Sequence, residues 1–241
     1  MKISEIQKDL AAVFRWSAKL DMHESVVNHF SMCESESTSN FYINKCGIHF
    51  SRIKASDLIL VTAANKLKFK ENPEIVDSTA LSIHEHIHKN LPHARCVLHV
   101  HSKYATALST LKDPTLYPVD QNSMMFFNRI SYYNYGGMGF DDEATKMCVA
   151  LGNKKIMLLA NHGLLITGKT VAEAFNLMYY FEKAAETYLL ALSTNKKINI
   201  VSDEIAEKTA KQWENYPSKL AENHLQQIKL ILDKEEPEYR N

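Results

Sequence analysis

His99 and His101 stand two residues apart in an apolar run, Cys96-Val97-Leu98-His99-Val100-His101, and that spacing is where chemistry is first expected. On a β-strand, side chains at i and i+2 share one face, so two imidazoles here converge while Val100 turns the other way. His162 follows a second apolar run at residues 156–160, where a chain would leave the sheet. Gly163 behind it permits a close backbone approach or a positive φ. Three histidines at strand ends, with positions left open for substrate, make the pattern of a catalytic metal site rather than a closed structural one. Zinc is the first choice of ion, with manganese, iron and cobalt as alternatives, because imidazole suits several of these metals. The same spacing also accommodates two satisfied core histidines beside an unrelated turn.

A second histidine pattern competes. His84-Glu85-His86-Ile87-His88 formally satisfies H-E-x-x-H, the zinc-protease helix signature, with His84 and His88 one turn apart. His86 occupies a position that is normally apolar, and no glycine-spaced third histidine follows. A solvated polar helix face is the expectation for this segment.

The elements that must position these residues read as alternating helices and strands. Ile3, Ile6, Leu10, Val13, Phe14 and Leu20 recur at three-to-four spacing and predict an amphipathic helix over 3–20. Strands are expected near 27–33 and 40–44 around a polar loop at 34–40, then at 58–61. Ser78 is a plausible N-cap for a helix reaching Asn90, which Leu91-Pro92 ends. The strand 94–101 follows, then a helix over 102–111, strands near 127–133 and 155–160, and a helix near 141–151 between those two. Residues 171–193 predict a long buried helix. Residues 203–232 predict one further helix, with the last residues, KEEPEYRN, frayed. Such alternation argues for an α/β chain with helices flanking one sheet. Residues 1–241 read as one domain with a helical C-terminal extension from about 203.

Composition narrows the function classes. Lys+Arg and Asp+Glu both total 28, so the net charge is zero and no nucleic-acid or membrane partner is expected. No run of eighteen apolar residues suggests a membrane-spanning helix. The N-terminus carries Glu5 and Asp9 and does not read as a secretory signal. The four scattered cysteines, with no C-x-x-C pair, are expected as reduced packing thiols, which makes the cytoplasm the default location.

Two segments, LHVHSKYATALS at 98–109 and NHGLLITGKTVAEAF at 161–175, taken in this order, resemble the class II aldolase/adducin family. The resemblance runs from about residue 5 to residue 195. It implies a three-layer α/β/α fold with a central mixed sheet, a divalent metal on His99, His101 and His162, and a homotetramer with sites at subunit interfaces. The family's anion-binding elements are matched by Asn28 with Ser31, by Gly47, and by Ser78 with Thr79, and His84 fits the family pattern too. A glycine turn and a helix N-terminus both offer donors to an anion. Val27 stands where the family usually has a glycine.

One departure bears on mechanism. In the family's sugar-phosphate aldolases and epimerases, a carboxylate stands where this chain has Ala80, and that carboxylate transfers the proton. Asp77 and Glu85 are not expected to point where Ala80 does. Asp120, His49, Tyr104 or Tyr135 could supply the proton transfer instead. Asp120 and Gln121, in YPVDQNSMMFF, occupy the place from which family members reach into a neighbouring subunit's site. The resemblance therefore implies a metal-dependent lyase, aldolase- or decarboxylase-like. Its substrate would be a small hydroxy- or keto-acid or a sugar-type molecule, reacting through a metal-stabilised enediolate. The alternative is a non-catalytic, adducin-like interaction module.

Overall fold

The computed structural model describes residues 3–36, 39–137, 142–216 and 218–241. The chain opens with helix α1 (Glu5–Lys19), whose Ser4 cap accepts from the Gln7 amide while Gln7 reaches back to the Ser4 amide. This reciprocal arrangement satisfies two of the amides that a helix start leaves open. Strands β1 (His29–Cys33), β2 (Phe41–Asn44) and β3 (Leu58–Val61) follow, then helices α2 (Lys66–Glu71) and α3 (Ser78–Asn90). Next come β4 (Cys96–Val100), α4 (Lys103–Ser109), α5 (Gln121–Met124), β5 (Ile130–Tyr133) and α6 (Glu143–Leu151). The chain continues through β6 (Ile156–Leu159), β7 (Gly163–Gly168), α7 (Val171–Ser193), α8 (Asp203–Glu214) and α9 (Leu220–Glu235).

The strands form one sheet in the order β3-β2-β1-β4-β7-β6-β5. Every neighbouring pair is antiparallel except β5 and β6, so the sheet is mixed, as expected. Alternation along the strands divides the interior in two. Cys96, Leu98 and Val100 of β4 pack with Phe14 of α1, Leu108 of α4, Phe175 of α7 and Ile228 of α9. Val97 of β4, Met157 of β6 and Leu165 of β7 face the other way, against Ile83 and Ile87 of α3 and Met147 of α6. Helices thus cover both faces, giving three layers.

Several expectations need correction. The stretch 163–168 is not among the expected strands, yet it forms an interior strand paired on both sides. The short helices α2 and α5 were not expected, because six and four residues are too few to show a helical period. The helix expected over 203–232 is two helices. Asn215 caps the first, and a proline at 217, outside the described residues, cannot continue a helix. Parts of the expected loop at 34–40 (residues 37 and 38) and the expected start of α6 (residue 141) also lie outside the described residues.

The end of the chain is not frayed. Residues Pro237–Arg240 form a 3₁₀ turn, and Tyr239 is 0% exposed within the main core. Arg15, buried in α1, reaches Glu236 at 2.8 Å and Glu238 at 2.6 Å, and its Nε donates to Ile53 O. The charged run hid a single buried aromatic, a tertiary fact that local composition does not reveal.

Candidate metal centre

β4 and the β6–β7 turn bring His99, His101 and His162 together. One ligand nitrogen from each lies within 4.8 Å of the others. The three rings stand 4.7 to 4.9 Å apart, centroid to centroid. Two local features of the turn deliver His162. Asn161 adopts a positive φ of 54°, a conformation asparagine tolerates better than most residues. Gly163 then passes so close to β4 that a β-carbon there would lie 2.5 Å from the Val100 carbonyl oxygen. Close approach, rather than a positive φ, is what this glycine permits.

Hydrogen bonding decides which nitrogens are free. His99 Nδ1 lies 3.1 Å from Leu164 O, and a carbonyl can only accept, so Nδ1 carries the proton. His101 Nδ1 pairs with the Glu24 carboxylate, which assigns its proton in the same way. Both Nε2 atoms are then bare lone pairs, and they face each other at 3.0 Å. Two such lone pairs repel unless a cation lies between them, so the donor set fits a divalent ion bound through imidazole Nε2. Burial, with the neighbouring histidines, holds His99 well below the ordinary imidazole range. His162 is pushed down to about 4, first by burial and then by His101. Neutral imidazole is the form a metal needs.

Asn28 braces this arrangement. Its Oδ1 accepts from the Glu24 amide at 2.7 Å and from the His101 amide at 3.3 Å, tying the β1 entry to the β4 exit. The residue is 1% exposed, and its Nδ2 is a buried donor without a partner among the described residues.

The histidines line a cavity of about 580 Å³ together with Glu24, His29, Asp77 and Thr79. Of the residues expected at an anion end, Thr79 reaches this cavity. Asn28, Gly47 and Ser78 are not among its lining residues, and Gly47 lies at a turn with φ of 76°. Asp120 caps α5 through the Ser123 amide, and Trp213 donates to Gln121 O, so neither expected catalytic residue lines the cavity of its own chain. Of the other proton-transfer candidates, Tyr135 lines the cavity, whereas His49 and Tyr104 do not.

The α3 region differs most from expectation. Asp77, not Ser78, is the N-cap, accepting from the Ala80 amide at 2.9 Å. Ala80 is 1% exposed and packs among Cys33, Phe41 and Leu81, away from the cavity. The carboxylate at this end of the cavity is Asp77. Burial pushes its pKa up, but donors from Thr79 and Ala80 and the nearby His29 more than offset that and leave it lowered. The H-E-x-x-H helix face is not solvated either. His84 is 0% and His88 is 4% exposed, and every ring nitrogen of the pair has a hydrogen-bond partner. Glu85 pairs with Lys66 instead of facing the cavity. A zinc-protease site is therefore not formed. His29 and Glu24 went unnoticed in the sequence, and Asp77 was set aside there although it lines the cavity; the one available signal for His29 was the asparagine–histidine pair heading β1.

Known proteins share this fold. The model of the Class II Aldolase and Adducin N-terminal domain matches residues 8–189. A Caulobacter vibrioides protein named after the class 2 aldolases is 30% identical over 211 residues, spanning 86% of this chain and 81% of that one. The crystal structure of an aldolase II superfamily protein from Pseudomonas syringae superposes with a TM-score of 0.89 at 28% identity, covering 98% of this chain and 95% of that one. L-fuculose 1-phosphate aldolase from Glaciozyma antarctica PI12 superposes with a TM-score of 0.82 at 28% identity, covering 98% and 92% of the two chains. The matched span contains the whole histidine triad and the Glu24–Asn28 brace, and on that span the chain belongs to the class II aldolase and adducin N-terminal domain family.

Proposed function

We propose that the protein is a divalent-metal-dependent carbon–carbon lyase, aldolase- or decarboxylase-like, acting on a small hydroxy- or keto-acid or a sugar-type substrate. The observation that carries this reading is the pair of Nε2 lone pairs of His99 and His101 facing each other at 3.0 Å, with the His162 ring beside them. Bound there, zinc (or manganese, iron or cobalt) would supply Lewis-acid stabilisation of the negative oxygens of an enediolate. His99, His101 and His162 hold the ion. Glu24 and Leu164 O orient two of the rings and set their tautomers by accepting from their Nδ1 protons.

The chain's other groups bind and orient substrate. Thr79 lines the cavity and is a donor for the substrate's anionic end; Asn28, Gly47 and Ser78, outside that lining, are assigned to the same end on the family resemblance. Asp77, held ionised, is one of the cavity's carboxylates and is available to take a proton. In an assembled homotetramer, Asp120 and Gln121 serve the cavity of a neighbouring subunit. Their support is that Gln121 is exposed and lies outside its own chain's cavity. The four free thiols favour residence in the cytoplasm. No helix of the described residues is long and apolar enough to cross a membrane.

The test is metal content per chain by elemental analysis, on wild type and His162→Ala side by side. One equivalent in wild type and none in the variant supports the triad and directs a screen of hydroxy- and keto-acids. No metal in either, even after incubation with zinc or manganese, overturns the lyase reading in favour of a non-catalytic interaction module.

A further inference from the structure

Beneath the triad, four buried side chains from β1 and α3 form one unbroken line of hydrogen bonds. His88 Nδ1 lies 2.9 Å from Ala94 O, and His88 Nε2 lies 2.7 Å from Ser31 Oγ. Ser31 Oγ also bonds His84 Nδ1, and His84 Nε2 lies 2.7 Å from His29 Nδ1. His29 is the cross-strand partner of His99, stands 4.9 Å from it ring to ring, and lines the metal cavity. Ser31 and His84 are 0% exposed, His88 4% and His29 7%.

The chemistry of these atoms allows only one direction of donation. Buried to 7% exposure or less and hydrogen-bonded to one another, to a hydroxyl and to a carbonyl, the three imidazoles are neutral, because a charged ring there would go uncompensated. Each ring therefore carries one proton. Ala94 O can only accept, so the His88 proton is on Nδ1 and its Nε2 must accept. Ser31 has a single hydroxyl proton, which goes to His88, so Ser31 Oγ must accept from His84. His84 is then protonated on Nδ1, and its Nε2 must accept from His29. The His29 proton is thereby placed on Nδ1.

We infer that the His88–Ser31–His84 line is a tautomer lock, and that it presents His29 Nε2 to the metal cavity as a bare acceptor for a hydroxyl group of the substrate. The residue selects a molecule with a hydroxyl beside its metal-binding oxygens, such as a 2-hydroxy acid, over its deoxy counterpart. Any other tautomer at His29 would set two protons or two lone pairs against each other somewhere along the buried line. The lock itself stands on the hydrogen bonds alone. Its role toward a substrate hydroxyl rests on the lyase reading above.

Long-range proton–nitrogen NMR on ¹⁵N-labelled full-length protein at neutral pH tests the lock directly. His29, His84 and His88 are expected as single tautomers, each with a protonated Nδ1 and a bare Nε2. Ser31→Ala is expected to release the line, giving a second, Nε2-protonated population at His29, and Ser31→Thr to restore the single tautomer. An Nε2-protonated His29 or His84 in wild type overturns the inference without any variant having to fold, as does a His29 signal that Ser31→Ala leaves unchanged. The acceptor role is read by calorimetry of the zinc-loaded protein with lactate and with propionate. The preference for lactate should shrink about tenfold in Ser31→Ala, the worth of one hydrogen bond. An unchanged preference overturns the acceptor role. A protein that shows the lock in wild type but takes up no metal refutes the lyase reading and leaves the lock intact.

Discussion

Gly163 and Val100 approach so closely that the space for one β-carbon does not exist: it would sit 2.5 Å from the Val100 carbonyl oxygen and 3.0 Å from the His101 ring. Both neighbours lie at the end of β4, which carries His99 and leads directly into His101. Gly163→Ala must therefore push the His162 turn away from β4. The expected outcome is a loss of about 1–3 kcal/mol of stability, as for other overpacked sites, together with weakened metal uptake. Thermal unfolding and metal content, measured on the same preparation, check it; an alanine variant with wild-type values for both would contradict the geometry.

Glu24 meets the metal site through His101 Nδ1, and its own side chain is 60% exposed. Glu24→Gln should leave the fold unchanged while lowering metal affinity roughly 10–100-fold, the usual cost of losing a carboxylate that orients a metal-binding imidazole. Competition against a chelator of known affinity gives the measurement. If affinity is retained, Glu24 does not orient the imidazole.

Stability should fall as pH drops from about 6.5 toward 4. His29 and His88 have folded-state pKa values of about 4, lowered by burial, against 6.5 for the free imidazole. Between those values the unfolded chain binds protons that the folded chain refuses, so acid favours unfolding, and the loss levels off below about 4. Each such histidine adds a slope of up to about 1.4 kcal/mol per pH unit within that window. Urea midpoints at several pH values would show this, and a flat profile from pH 6.5 to 4.5 would refute the neutral buried assignment.

Tyr239 is 0% exposed, and its hydroxyl donates to Asp233 at 3.1 Å. Tyr239→Ala should cost about 3–5 kcal/mol, as removal of a buried aromatic does. Arg15→Ala should also destabilise, since it leaves Glu236 without one of its two cationic partners and Ile53 O without its donor. Denaturant unfolding of both variants is the check; a wild-type midpoint for Tyr239→Ala would mean that the C-terminal turn is not part of the core.

The amino-acid sequence by itself determined the features that are local and periodic. Apolar spacing marked α1, α7 and most of the strands, capping and proline signals marked α3, and the i, i+2 rule put His99 of β4 and His101 just beyond it on one face. His162 and Gly163 were legible because a histidine and a glycine directly after an apolar run signal a turn at a sheet edge. Tertiary structure alone decided the rest, because its partners are far apart along the chain. His29 meets His84 across 55 residues, and Glu24 meets His101 across 77. No periodicity encodes such pairs, since they arise from strand register and from the docking of α3 on the sheet. The His84/His88 face, polar in sequence, is buried because Ser31, His29 and Ala94 O satisfy its nitrogens. A buried polar group is stable only when such partners exist, and whether they exist is known only once the fold has closed around it.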